Sequence, residues 1–291
     1  MWTDDGFNDY ELLDATDGER LERWGGYILV RPDPQVIWRE PRRHERWRNA
    51  DAAYTRGRGG GGRWSQNTPL PASWTVSWRD LTFRVRPTGF KHTGLFPEQA
   101  ANWAAVTELL RASGSGGGHP LNILNLFAYT GAATLVCARA GANVTHVDAA
   151  KGMVAWAKEN CTGTGPPLRV RWIVDDCGAF VERELRRGSR YDGVWMDPPS
   201  YGRGPNGQVW KLEDSLYGLL QKTAGLLSEN ARFFFLNTYT AGLAPSVLRY
   251  LLEALVVPRF GGRVEADELG LRVGATGLVL PSGATGRWMR S

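Results

Sequence analysis

The 291-residue chain has 42% apolar and 22% charged residues, a composition that excludes disorder and collagen and suits one large domain plus a smaller one, at roughly 100–200 residues per domain. No apolar run approaches the ~20 residues needed to cross a bilayer, and the acidic start Met1-Trp2-Thr3-Asp4-Asp5 lacks the basic-then-apolar pattern of a secretory signal, so a cytoplasmic protein without membrane attachment is expected. The net charge of +5 is localised: residues 39–63 hold eight arginines (39, 42, 43, 46, 48, 56, 58 and 63) against Glu40, Glu45 and Asp51, and the remainder is balanced. With its run of glycines this segment reads as a flexible arm able to track phosphates. GC-rich codon usage is the bland alternative.

In chain order, short β-like pieces come first, at Tyr27–Val30, Val36–Trp38, Ser73–Trp78 and Leu81–Val85, separated by Asp, Pro and Gly. They predict a small, mostly β domain over residues 1–86. A helical face follows over Glu98–Arg111, ended by the Ser/Gly run 113–118. From there apolar runs alternate with helical patterns: 123–127 then 132–140, 143–147 then 153–159, 169–174 then 179–186, 191–196 then 212–227, and 232–236 then 245–255. This rhythm predicts, over 87–291, an α/β domain with a mostly parallel sheet covered by helices on both faces. Ligands of such sheets bind beyond the carboxyl ends of the strands, so the residues just after each run carry the chemistry.

Phe127, Ala128, Tyr129, Thr130 and Gly131 follow the first run, where a glycine turn into a helix lets a ligand approach backbone N–H groups. The absence of GxGxxG argues against a dinucleotide. Asp148 ends the second run, seventeen residues after Gly131, where a carboxylate can accept both hydroxyls of a ribose. Asp175-Asp176 ends the third, in place for an adenine edge, and Asp197-Pro198-Pro199-Ser200-Tyr201 ends the fourth. Two prolines there expose carbonyl acceptors beside a carboxylate and an aromatic ring, an arrangement suited to an amino group on a planar base. A strand-end Asp or Gly can equally be a plain helix cap. The three cysteines (137, 161, 177) read as small core residues, and the four histidines (44, 92, 119, 146) lack metal-ligand spacing, so no metal is expected.

The series LNLFAYTGAATL, VTHVDAAKGMVAWAKEN, WIVDDCGAF and VWMDPPSYGRG resembles the motifs of class I S-adenosylmethionine-dependent methyltransferases, in particular the bacterial large-subunit ribosomal RNA methyltransferase group. The piece from Phe90 to Gln99 is similar to that group's QKTGFYLDQR segment, matching at Thr93, Gly94 and Gln99, with His92 where the family often has Lys. The resemblance implies a Rossmann-like fold and S-adenosylmethionine as cofactor. It implies methionine-end binding by Thr93, Gln99 and the turn that carries Phe127, Tyr129, Thr130 and Gly131, ribose binding by Asp148, adenine binding by Asp176, and catalysis around Asp197, Pro198, Pro199 and Tyr201.

Methylation at pyrimidine C5 needs a cysteine thiolate, and neither Asp197-Pro198-Pro199-Ser200-Tyr201 nor Asn237-Thr238-Tyr239-Thr240 offers one. The expected reaction is therefore direct transfer to a base nitrogen of RNA, with ribosomal RNA as the expected partner. DNA, protein or small-molecule acceptors, and a non-catalytic RNA-binding role, are the alternatives. Asn237 and Tyr239 are candidates for the pocket's far wall, and the stretch from Gly202 to Lys211 for a closing loop.

Overall fold

The computed structural model describes residues 1–57, 61–114, 119–162, 167–203, 209–240 and 242–290. The chain forms two compact units, one of Met1–Ala101 with Leu269–Ser282 and one of Asn102–Glu268 with Gly283–Ser291.

The first unit carries a five-stranded sheet in the order β1 (Tyr10–Thr16), β2 (Glu19–Trp24), β3 (Tyr27–Pro32), β4 (Ala52–Arg56), β5 (Gly62–Gln66), and a separate hairpin of β6 (Trp74–Trp78) with β7 (Leu81–Val85). All pairs are antiparallel except β3 with β4. Leu21, Trp24, Leu29, Val76, Trp78 and Phe83 are almost wholly buried. So are charges. Arg31 donates to both oxygens of Glu22, at 2.6 and 2.7 Å, and Tyr10 Oη donates to Oε1 at 2.9 Å. Burial pushes the Glu22 carboxyl up, but Arg20, Arg31 and these hydrogen bonds overcome it and hold it at about 2. Such buried, paired charges explain why β1 and β2 carry no alternating apolar signal in the sequence.

Residues 36–38, expected as a strand, form no ladder. They are held singly, through Gly18 N–H to the Val36 carbonyl, Asp17 N–H to the Trp38 carbonyl and Trp38 Nε1 to the Ala15 carbonyl. Within the segment 39–63, expected as a flexible arm, a 3-10 turn spans Glu45–Arg48 and β4 pairs with β5, while residues 58–60 of the glycine run lie outside the described residues. The β4–β5 pairing runs over five registered positions, from Ala52↔Gln66 to Arg56↔Gly62. Arg58 lies outside the described residues. Arg42 pairs with Glu19, Arg43 with Glu40 and Arg46 with Asp51, while Arg39, Arg48, Arg56 and Arg63 are exposed.

A seven-stranded sheet is ordered β10 (Val170–Val174), β9 (Asn143–Asp148), β8 (Asn122–Leu126), β11 (Gly193–Met196), β14 (Phe233–Thr238), β16 (Val279–Met289), β15 (Arg263–Arg272); its first five strands belong wholly to the second unit. The first five strands run parallel, as expected, and β16 lies antiparallel on β14. The helices are α1 (Ala100–Gly114), α2 (Ala132–Arg139), α3 (Lys151–Thr162), α4 (Cys177–Arg186), α5 (Leu212–Ala224), α6 (Pro245–Leu255) and α7 (Val257–Phe260), and β12 (Tyr201–Arg203) pairs with β13 (Val209–Lys211) in a small hairpin. Phe233, Phe234, Phe235 and Leu236 are all fully buried, as a strand covered on both faces requires. From β8 the chain builds outward to β9 and β10, then crosses to β11 and β14. The crevice between the carboxyl ends of β8 and β11 is thus the topological switch point. Among the described residues no helix is long and apolar enough to cross a membrane, and no group of three or more His, Cys, Asp or Glu could hold a metal ion.

Candidate active site

The turn after β8 is strained. Phe127 (φ 55°) and Tyr129 (φ 50°) lie in the left-handed region with Gly131 (φ 81°), which costs a side-chain-bearing residue about 1–2 kcal/mol. Hydrogen bonds from neighbouring elements hold this conformation. Phe127 N–H donates to Cys177 Sγ (3.3 Å), Ala128 N–H to the Val147 carbonyl (3.1 Å), Tyr129 N–H to Asp148 Oδ2 (2.8 Å), and Asn160 Nδ2 on α3 to the Thr130 carbonyl (2.8 Å). Beneath the turn, Thr134 Oγ1 accepts from Asn125 Nδ2 at 2.9 Å and lies 2.9 Å from His146 Nδ1.

Gly131 is required by space as well as by φ, since a Cβ there would come within 2.7 Å of Ala157 Cβ. Gly131→Ala adds left-handed strain to overpacking, and should lower unfolding free energy by about 3 kcal/mol in urea titrations. His146 is fully buried, and burial depresses its imidazole to about 3. The folded state therefore holds it neutral, whereas the unfolded chain takes up a proton below about pH 6.5. The stability this histidine contributes is complete above that pH. It should be lost at about 1.4 kcal/mol per unit as pH falls from 6.5 toward 3. His146→Gln should flatten that part of the profile measured by denaturation at pH 7, 6 and 5.

Asp148, at the end of β9, is half-buried, and its two oxygens accept from Tyr129 N–H and Ala150 N–H, both at 2.8 Å. Burial raises its pKa, and these two hydrogen bonds offset that only in part. A carboxylate oxygen has two acceptor directions, so each keeps one for a vicinal diol. Asp176 caps α4, Oδ1 accepting from Ala179 N–H at 2.8 Å, which uses one of its two oxygens. Asp175 pairs with Arg183.

Asp197 follows β11, half-buried, with Pro198 buried and Pro199, Ser200 and Tyr201 exposed. Trp210 Nε1 on β13 donates to the Pro199 carbonyl at 2.6 Å, and its ring lies 5.7 Å from that of Phe127. Trp210 therefore ties the Pro-Pro loop to the strained turn. Leu212 N–H donates to the Ser200 carbonyl, and Thr240 Oγ1 to Ser200 Oγ at 2.7 Å. Tyr201 stands 53% exposed on β12, its ring open to a partner.

On the adjacent strand, whose Leu236 pairs with Met196, Asn237 is fully buried. Its Oδ1 accepts from Asn102 Nδ2 (2.8 Å), and Asn102 Oδ1 in turn accepts from Arg287 Nε (2.7 Å). Asn237 Nδ2 has no partner among the described residues. A buried donor left unpaired costs about 1–3 kcal/mol, and this one stands on the strand beside the one that Asp197 follows. The spare acceptors of Asp148 fit the hydroxyls of a nucleoside-bearing group at the switch point.

Thr93 and Gln99 belong to the first unit, where both are buried and Thr93 Oγ1 has no partner among the described residues. Hydrogen bonds and ring contact bring Phe127, Tyr129, Asp148 and Pro199 together. Sequence reasoning did not single out Trp210, Asn160, Asn102 or Arg287. Tryptophan after a glycine-rich loop was the one available sign. The cysteines are free and buried, and burial pushes the thiols of Cys137 and Cys161 up to about 12.

No protein-family model matches the chain. It is similar to Ribosomal RNA large subunit methyltransferase K/L of Shewanella frigidimarina, 30% identical over 158 residues, covering 53% of this chain and 21% of that protein. The corresponding protein of Pseudoalteromonas atlantica is 28% identical over 157 residues with the same coverage. The chain thus spans about a fifth of the length of these curated relatives. Among solved structures, a methyltransferase from Streptococcus mutans shares the fold at 19% identity and TM-score 0.69, over 98% of this chain and 76% of that one. The SAM-dependent methyltransferase from Agrobacterium tumefaciens is 39% identical with TM-score 0.92, covering all of this chain and 93% of that one. At that identity and coverage, the chain belongs to the S-adenosylmethionine-dependent methyltransferases.

Proposed function

We propose that the protein transfers a methyl group to a nitrogen of an RNA base, with ribosomal RNA the favoured acceptor. The observation that carries this reading is the Asp197–Tyr201 loop at the switch point, fixed by Trp210 to the turn that leads to Asp148. The curated relatives' names support RNA, and the lack of any thiol on this loop supports nitrogen over pyrimidine C5.

S-adenosylmethionine, when bound, supplies a methyl group made electrophilic by its sulfonium. Asp148 would hold its ribose, the Thr130–Gly131 turn its methionine end and Asp176 its adenine. The Asp197 carboxylate and the Asp197 and Pro198 carbonyls accept hydrogen bonds from an exocyclic amino group, which aims the nitrogen lone pair. Tyr201 stacks on the base, a contact worth about 1–3 kcal/mol that partly offsets unstacking it from the RNA. Asp197 would take up the proton that the acceptor nitrogen sheds on gaining the methyl group. Arg39, Arg48, Arg56 and Arg63 of the first unit supply positive charge for phosphates.

Labelled methyl transfer into total RNA, genomic DNA and protein, followed by nucleoside mass spectrometry, tests the proposal. Label in an N-methylated nucleoside of RNA is expected. Label confined to DNA or protein, or found in a C-methylated base, would refute it.

A further inference from the structure

A second concave surface lies at the other end of the parallel sheet. It is lined by the first residues of three strands, Asn122, Asn143 and Val170, and by Arg169, Arg171 and Arg190, around a cavity of about 460 Å³. Five-residue strands separate it from the carboxyl-end crevice by about 15 Å.

The groove has one acidic residue, and that residue is already committed. Glu184 has a side chain only 2% exposed. It accepts from Tyr191 Oη at 2.8 Å and from Arg187 Nη1 at 2.9 Å, with Arg171 at 3.6 Å. Burial alone would raise its pKa, but bonds from Tyr191, Ser189 and Arg187 and the field of Arg171 hold it below the usual carboxylate range. Glu184 thus stays ionised and anchors Arg171 and Arg187 at the rim.

Arg169 and Arg190 lack that compensation. Both are exposed and make no ion pair among the described residues, and the one side-chain bond of Arg190 goes to the neighbouring Ser189 carbonyl at 2.8 Å. Arg169 and Arg171 are two apart at the start of β10, so they project to the same side of the sheet's edge strand. Three arginines line one concavity, and two of them make no ion pair among the described residues. Phosphate oxygens suit planar forked donors of this kind.

We infer that the groove formed by Arg169, Arg171 and Arg190 is a phosphate-binding site for the backbone of an RNA strand running around the β10 edge of the sheet. The inference rests on the RNA reading proposed for the active site. The strand would place its target base at the carboxyl-end crevice and a phosphate a few nucleotides away in the groove. None of the three arginines belongs to the cofactor or acceptor machinery.

The experiment is fluorescence-anisotropy titration of a single-stranded ribosomal RNA fragment across a salt series. It compares the wild-type chain, Arg169→Gln/Arg190→Gln, the charge-retaining Arg169→Lys/Arg190→Lys, and Arg249→Gln/Arg259→Gln as a control for bulk charge. With about 0.7 units of log-log slope per single-strand phosphate contact, the first double variant should flatten the salt dependence by about 1.4 units and bind several-fold more weakly at low salt. The lysine variant should restore the slope, the control should leave it unchanged, and S-adenosylmethionine affinity should match wild type throughout. Wild-type slope in the glutamine variant would overturn the groove alone. Absence of RNA binding by the wild-type chain would overturn the groove and the RNA reading together. A parallel pyrophosphate titration separates the sources: pyrophosphate binding lost in the glutamine variant while its RNA slope is unchanged would make the ligand a free phosphate and overturn the RNA assignment.

Discussion

Asp197→Ala is expected to lower methyl transfer at least about a hundredfold in kcat, the range seen when one preorganised polar group is taken from a reacting centre, while leaving S-adenosylmethionine affinity within a few fold. The asymmetry follows from position. Asp197 stands past β11, beside the exposed Pro199–Tyr201 loop and one strand from Asn237, whereas the residues assigned to the cofactor's nucleoside follow β9 and β10. Removing its carboxylate should therefore misalign the acceptor nitrogen and strip away the nearby base, with little effect on the donor. Asp197→Asn keeps one acceptor oxygen but no charge, and should retain part of the alignment. Single-turnover transfer measured alongside calorimetric titration separates the two effects. A large loss of cofactor affinity in either variant would place Asp197 on the donor side instead.

Asp148→Ala should do the converse, weakening S-adenosylmethionine binding by about two orders of magnitude. Hydrogen bonds to a charged group contribute about 1.5–3 kcal/mol each, and two are lost with the ribose diol. The same carboxylate accepts from Tyr129 N–H and Ala150 N–H, so its loss also frees the strained turn from β9. Asp148→Asn, which keeps an acceptor, is the milder variant. Because burial raises the Asp148 pKa, the ionised form needed by the ribose should be lost on acidification at a higher pH than an ordinary aspartate would give. Affinity is full above that raised pKa and falls below it, and in Asp148→Asn this pH dependence should vanish. Calorimetry across the acid range checks both. Affinity unchanged by the alanine substitution would remove Asp148 from the cofactor site.

Much of the second unit was legible in the sequence because its strands are apolar runs bounded by turn residues. The run Phe233–Leu236 can sit only in a strand covered on both faces. The rule that ligands bind past strand ends then pointed to Gly131, Asp148 and Asp197 without coordinates. The first unit was harder to read. Its β1 and β2 strands bury Asp14, Arg20 and Glu22, so their alternation is broken by charges that only a folded partner could pay for. The long β15 and β16 strands were missed for a related reason, since Asp267, Arg272 and Arg287 interrupt them.

The alternation of strand and helix, the side chains that stand at each strand's carboxyl end, and a +5 charge concentrated in one segment are written in the order of residues. Those are local properties, set by the spacing of apolar residues and by composition. The positive φ of Phe127 and Tyr129 arises from folding alone, because bonds to Asp148 and Cys177 hold them there. Folding also closes Trp210 on the Pro199 carbonyl and leaves Asn237 with a donor unpaired among the described residues. It divides the arginines of segment 39–63 between ion pairs and open surface, and gathers Arg169, Arg171 and Arg190 into one groove. Those outcomes depend on residues distant in the chain meeting at fixed distances. Burial makes each unpaired polar group costly, and no local pattern encodes which partner will arrive.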